Sequence, residues 1–385
     1  MPFAAAVIAR FRTLREVENR IRGFSPVGDG RIPRRMSVCV DPACTVCRDG
    51  LSSDSGGRIV YLLPSADVPI GGSKISCRQI DILADKGVAC VGFHPETPPG
   101  FTYSWFAHRI RTLRSGHFDP KRDFLVFPEI WAAIASRFCV PYGIHYAIYV
   151  QNGYLAHNSA GFSDEDLRRA YRHADLVLSV SADTSEIISL TYPFVEPARI
   201  LRLFQSVPAQ FAPRKKEKLI TYMPRKLKEH SDRMRCYLAP VIPGDWRFQA
   251  IDGLDERGVA EVMSRSSIFM SFSELEGFGL PPIEAALSGN IVVGYTGQGG
   301  REYFAPPAFR EVPNGDFLRF VSEVRMAIAN AETELSASRA FVLQMHSLAA
   351  IYSIENETRH LMTFAQRVAA TMGSSAAPAT CASKA

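Results

Sequence analysis

The chain has 385 residues, 46% of them hydrophobic and 22% charged, with a formal net charge of +5. That length exceeds what a single core usually organises, so two domains of ordinary globular composition are expected. The mild positive charge suits an anionic substrate or an acidic membrane surface, and it falls well short of a nucleic-acid-binding signature.

The first ten residues, MPFAAAVIAR, begin with an apolar run, but Arg10, Arg12, Arg15, Arg20 and Arg22 follow where a small-residue cleavage site would stand. The segment therefore does not read as a signal peptide. Ile8, Phe11, Leu14, Val17 and Ile21 recur at helical spacing among these arginines, which describes a basic amphipathic helix. Packing on the domain is the preferred reading; the alternative is an interfacial helix, with residues 1–24 touching anionic lipid. Residues 23–57 are rich in Gly, Pro, Ser and Asp and read as a linker, so that 1–57 form an extension. Cys39, Cys44 and Cys47 offer a C-x4-C-x2-C cluster, but no second compact pair accompanies it. Unpaired loop thiols are expected there, and no metal. No apolar run approaches the roughly 20 residues of a membrane span. Residues 124–150 come nearest and are broken by Glu129, Arg137 and two prolines. A cytoplasmic location is expected, with peripheral attachment at the inner membrane face left open.

Strands and helices alternate from Arg58 onward. Strands are predicted at 58–65, 88–93, 124–129, 147–152 and 175–181, with a helix over 75–86 and helical stretches elsewhere between them. After a basic, proline-marked linker at 208–218 the alternation restarts. Strands fall at 218–224, 246–251, 268–273 and 291–295, with a helix near 256–265. Short apolar strands separated by helices imply parallel sheets covered on both faces. The expected domains are 58–207 and 208–338, two doubly wound Rossmann-like units facing a cleft. Helices over 339–372 follow, and then a disordered tail, 373–385.

The most informative stretch is SFSELEGFGLPPIEAALSGNIVVGY, residues 271–295. A strand ends at Ser273, a turn carries Glu274, Glu276, Gly277 and Gly279, and Pro281-Pro282 opens a helix that Gly289 stops. The N–H groups and positive dipole end of such a helix suit a diphosphate. Gly277 and Gly279 allow the backbone close to a ligand. Glu276 in the turn and Glu284 on the helix place two carboxylates where they can hold two hydroxyl-bearing parts of one molecule.

This E-G-F-G-L-P-P-I-E-A block followed by S-G-N-I-V-V resembles the E-x7-E signature of retaining GT-B glycosyltransferases, glycosyltransferase family 4 in particular. The resemblance spans about residues 58–360, with its specificity in 271–295. It implies a GT-B fold and transfer of a hexose-type sugar from a nucleotide-diphosphate donor (UDP, GDP or dTDP type) to a glycan or lipid-linked acceptor. No cofactor or metal is implied. By resemblance Glu276 lies at the donor sugar and Glu284 binds the ribose, with Gly277, Phe278, Gly279 and Leu280 forming the donor-binding turn. YMPRKLKEH (222–230) falls where the family carries an Arg and a Lys on the diphosphate. Arg225 fits the first, and Lys226 or Lys228 the second. Gly71 and Gly72 fall at the family's glycine-rich loop, and Ser181 at the start of a largely structural helix.

The strand-terminal histidine common in the family is absent. Here the strand ends in Pro128-Glu129, and Glu129 either orients the acceptor hydroxyl or simply opens a helix. Gln151 and Asn152 form a second strand-terminal polar pair on the acceptor side, and His145 is a looser candidate. Without an evident nucleophile and acid pair, front-side attack assisted by the leaving phosphate is the expected route. The rival readings are a sugar-nucleotide epimerase and a non-catalytic binding module. A nicotinamide dehydrogenase is disfavoured because no G-x-G-x-x-G follows the first strand.

Overall fold

The structure is a computed structural model that describes residues 31–39, 57–67, 71–159, 161–332 and 338–374. The N-terminal amphipathic segment, Cys44, Cys47 and the tail beyond residue 374 lie outside the described residues.

Among the described residues there are three parallel sheets. In chain order the strands are β1 Met36–Val38, β2 Arg58–Leu62, β3 Cys90–Phe93, β4 Gly116–Phe118, β5 Asp123–Pro128, β6 Tyr146–Val150, β7 Leu176–Ser179 and β8 Ile200–Arg202. The second half holds β9 Glu217–Tyr222, β10 Arg247–Ala250, β11 Ser266–Glu276, β12 Ile291–Gln298 and β13 Phe309–Glu311. The first large sheet has the order β3-β2-β5-β6-β7-β8 and the second β10-β9-β11-β12-β13. Each chain path reverses direction beside its first strand, at β2/β5 and at β9/β11. A crevice opens at the carboxyl ends of the strands at such a reversal.

The continuous apolar runs arise because both faces of each strand are covered. Ile59 and Tyr61 face one core with Phe124 and Val126, while Val60 and Leu62 face the other with Leu125 and Phe127. The first of these cores continues into the second half and the final helices. Helices Arg339–Ile351 and Ile354–Ser374 bring the chain back to the first sheet. There Phe364 packs edge-on against Phe124, and the fully buried Glu357 accepts hydrogen bonds from Ser206 while pairing with Arg78 at 3.3 Å.

Several local expectations are corrected. Met36–Val38 lies in the stretch read as linker, yet it pairs with β4 because Met36 and Phe118 bury their side chains in the first half. Gly71 and Gly72 open helix Gly71–Asp85 rather than lying in a loop before it. β11 and β12 extend to Glu276 and Gln298, which pair with each other beyond a register shift after Ser273. Cys77, Cys90, Cys139 and Cys236 are free thiols. No helix among the described residues is long and apolar enough to cross a membrane.

Candidate active site

β11 delivers Glu276 to the crevice through a backbone in an uncommon conformation. Leu275 has φ +51°, in the left-handed region that costs a β-sheet-forming leucine about 1–3 kcal/mol. Gly279 follows at φ +80° and caps helix Leu280–Leu287, where a side chain would be strained. Pro281 and Pro282 carry no N–H, so this helix offers an anion fewer donors than its dipole alone suggests.

Glu284, one turn into that helix, is only 6% exposed. Burial pushes its carboxyl up to about 7. Lys74 and Arg78 from the first half act against this shift, and Glu256 adds to it. Lys74 forms an ion pair with Glu256 that joins the two halves beside Glu284.

The loop after β9 brings Lys226 onto Glu276 as an ion pair. The Lys226 side chain keeps 45% of its surface accessible, but its ammonium sits between walls of protein. That desolvation, and then the like charge of Arg225, draw it down to about 8. Lys228 is not brought to Glu276. It opens helix Lys228–Leu238 and pairs with Asp232 along the helix surface at 2.5 Å. Arg225 is exposed on the same loop as Lys226.

From the first half, Gln151 and Asn152 follow β6. The Gln151 amide donates to the Gly72 carbonyl at 3.0 Å and to the Ser76 hydroxyl at 3.1 Å. Asn152 donates to the carbonyl of Leu275 at 2.8 Å, across the junction of the halves. Both residues are held from below by Glu129. Its buried carboxylate accepts the Gln151 N–H at 3.2 Å and the Asn152 N–H at 3.1 Å. Burial raises Glu129 to about 7, and these backbone donors oppose the rise. Here Glu129 shapes the loop that meets the second half. His145 precedes β6, at the edge away from the crevice, and binds Asp175 at 3.0 Å.

Two residues of the donor-side turn behave differently from expectation. A Cβ at Gly277 would stand 1.9 Å from the Gln151 carbonyl oxygen, so the missing side chain makes room for protein backbone. The Gly277 carbonyl is then taken by the hydroxyls of Ser181 at 2.6 Å and Thr184 at 3.2 Å. Phe278 is buried against Tyr303 and Tyr352 and anchors the turn from the core.

The segment after β12 escaped the sequence reading. Gln298 has φ +73°, and a Cβ at Gly299 would meet the Gly277 oxygen at 2.1 Å. Tyr303 donates towards the Gly279 and Phe278 carbonyls, and Glu302 accepts the Ala182 N–H and pairs with Arg202. The signal available was the glycine density of GYTGQGG at a strand end. Together the site sets two cations and a helix start, suited to an anion, beside two carboxylates suited to hydroxyl groups.

No protein-family model matches the chain. The alpha-1,6-glucosyltransferase of Actinobacillus pleuropneumoniae serotype 7 is 34% identical over 96 residues, which are 24% of this chain and 29% of that protein. The chain thus matches less than a third of that relative's length. Among solved structures, sucrose-phosphate synthase from Thermosynechococcus elongatus superposes with TM-score 0.60 at 14% identity, covering 82% of this chain and all of that one. The lipopolysaccharide outer core galactosyltransferase WaaB gives 0.58 at 12%, covering 82% and 99%. Anabaena HepE in complex with UDP gives 0.57 at 13%, covering 82% and 100%. The fold is that of the GT-B glycosyltransferases.

Proposed function

We propose that this chain is a retaining glycosyltransferase that moves a hexose-type sugar from a nucleotide-diphosphate donor to a glycan or lipid-linked acceptor, without a metal. One observation carries the reading. Lys226 and Glu276 meet at the carboxyl ends of β9 and β11, and the buried Glu284 lies one turn into the helix that follows. The diphosphate lies against Arg225, Lys226 and the helix start, Glu276 takes the sugar hydroxyls, and Glu284 the ribose. In the transfer, the bond from the anomeric carbon to the phosphate oxygen breaks while the bond to the acceptor oxygen forms on the same face. The acceptor proton passes to the departing phosphate, whose growing charge Lys226 and Arg225 stabilise.

A UDP-sugar is the first donor to try, because HepE was solved with UDP and the curated relative is named as a glucosyltransferase. That relative's alpha linkage also supports retention, since alpha-configured donors yield alpha products only that way. The reading includes a peripheral membrane contact through residues 1–24, which equal liposome co-sedimentation of full-length protein and a form lacking them would remove.

The test is a thermal-shift screen against UDP, GDP, dTDP and ADP with wild type and Glu284→Ala. A shift with one diphosphate that the variant loses supports the assignment of donor and ribose contact. No shift with any of them overturns it. Incubation with the donor alone, read by NMR of the sugar, separates transfer from epimerisation.

A further inference from the structure

Lys216 stands near the end of the linker between the halves, just before β9, and is half-buried. Its ammonium donates to the carbonyls of Ser264 at 3.1 Å, Ser266 at 2.8 Å and Ser288. An ammonium has three N–H groups, and these three carbonyls take all of them. Ser264 and Ser266 lie at the C-terminal end of helix Glu256–Arg265, and Ser288 caps helix Leu280–Leu287. One cation therefore closes the negative ends of two helices.

The surroundings are built to admit that cation. Gly289 has φ +84°, and a Cβ there would stand 3.0 Å from Lys216 Cε, so the missing side chain makes room for the lysine stem. The fully buried Asn290 joins the same two helix ends, donating to the carbonyls of Met263 and Ala285 at 2.8 Å each. Among the described residues no carboxylate pairs with Lys216; Glu217, next along the chain, pairs with Arg247 at 2.8 Å and Arg265 at 3.0 Å instead. Burial draws the ammonium down to about 7, so it is held mainly as a cation below that value.

The contact reaches Glu284 within one turn. The Ser288 N–H donates to the Glu284 carbonyl at 3.0 Å, and Ala285, held by Asn290, is the next residue. Helix Leu280–Leu287 has eight residues, so loss of its last turn would carry Glu284 with it.

We propose that Lys216 is a positioning residue, whose ammonium clamps the last turn of helix Leu280–Leu287 and so fixes where Glu284 meets the ribose of the nucleotide. The ribose contact rests on the glycosyltransferase reading; the clamp does not. Two measurements at about pH 6 separate them, on wild type, Lys216→Met, Glu284→Gln and the double variant. One is calorimetric titration with UDP, GDP, dTDP and ADP, and the other is amide hydrogen exchange.

The expected result is that Lys216→Met weakens the bound diphosphate about tenfold, while the double variant binds no worse than Glu284→Gln alone, because the lysine acts through that carboxylate. Amide exchange over 284–288 should speed about tenfold in Lys216→Met, with the strands of the first half unchanged. Should Lys216→Met not fold, Lys216→Gln, which keeps N–H groups and loses the charge, replaces it with the same pattern expected. Affinity unchanged in the folded variant, or losses that multiply in the double variant, would overturn the positioning role, and unchanged exchange would overturn the clamp. Faster exchange in a protein whose wild type binds none of the diphosphates would keep the clamp and remove the donor reading. A diphosphate bound equally with and without the Lys216 charge would keep the donor reading and remove the proposal.

Discussion

The side-chain amide of Asn152 holds the carbonyl of Leu275 at 2.8 Å, so a residue of the first half fixes the strained residue that precedes Glu276 in the second. Asn152 is itself set by the Glu129 carboxylate through its backbone N–H. The position of Glu276 therefore depends on both halves being in contact.

Asn152→Ala should remove that bond while leaving both cores intact. A net hydrogen-bond contribution of about 0.5–1.5 kcal/mol sets the scale, so the melting temperature changes little. The turnover number is expected to fall about tenfold as Glu276 relaxes, with the donor KM nearly unchanged. Steady-state kinetics against donor, alongside a melting curve, checks both statements. An unchanged kcat would show that Leu275 keeps its conformation without Asn152.

The glycines of the two halves should respond in opposite ways. Gly277→Ala puts a methyl 1.9 Å from the Gln151 oxygen, a backbone atom that cannot swing away, so the halves are held apart and turnover drops by on the order of 100-fold. Gly71→Ala meets nothing within 4 Å in the first turn of its helix. It should be neutral or stabilise by up to about 1 kcal/mol. Activity and melting temperature of the two variants, measured side by side, decide the matter.

If the proposed transfer is right, Lys226 should give it an alkaline limit. Its ammonium is drawn down to about 8, so the charged form proposed to stabilise the leaving phosphate is lost as pH rises through that value. The expected kcat/KM profile falls above about pH 8. Lys226→Arg should lose that limb, because guanidinium stays charged. Lys226→Ala should cost on the order of 100-fold at pH 7. An alkaline limb that survives Lys226→Arg assigns it to another group.

Glu284 links the site to stability. Its folded-state carboxyl is raised to about 7 against an ordinary 4.5. Below the ordinary value both folded and unfolded forms are protonated and nothing is lost. As pH rises from there towards 7, the unfolded chain releases the proton more readily, and stability falls by up to a few kcal/mol. Glu284→Gln should therefore raise the melting temperature relative to wild type at pH 8 and make little difference at pH 4. Equal effects at both values would show that burial does not disfavour the charge.

How far the chain could be read in advance varied with how local the cause was. The alternation of strands such as RIVYL and FLVFP with helices rests on the pleat and on burial of both faces, and the helix Glu256–Arg265 was placed residue for residue. The turn before Leu280 was legible because glycine and proline constrain backbone wherever they stand. β1 and β4 were missed: three residues each carry no periodicity, and their pairing unites Met36 with Gly116 from far along the chain. Likewise GYTGQGG became part of the site only by lying against Gly277.

By itself the sequence determined two parallel sheets, their order of formation along the chain, and a strand–turn–helix carrying Glu276 and Glu284, since each follows from short-range patterning and the stereochemistry of single residues. Only the tertiary structure decided that Lys226 and not Lys228 meets Glu276, that the space at Gly277 belongs to Gln151, and that Asn152 reaches Leu275. The first is a contact between neighbouring strands of one sheet and the other two join the two halves; all are set by how distant segments pack, a quantity that no local pattern of side chains encodes.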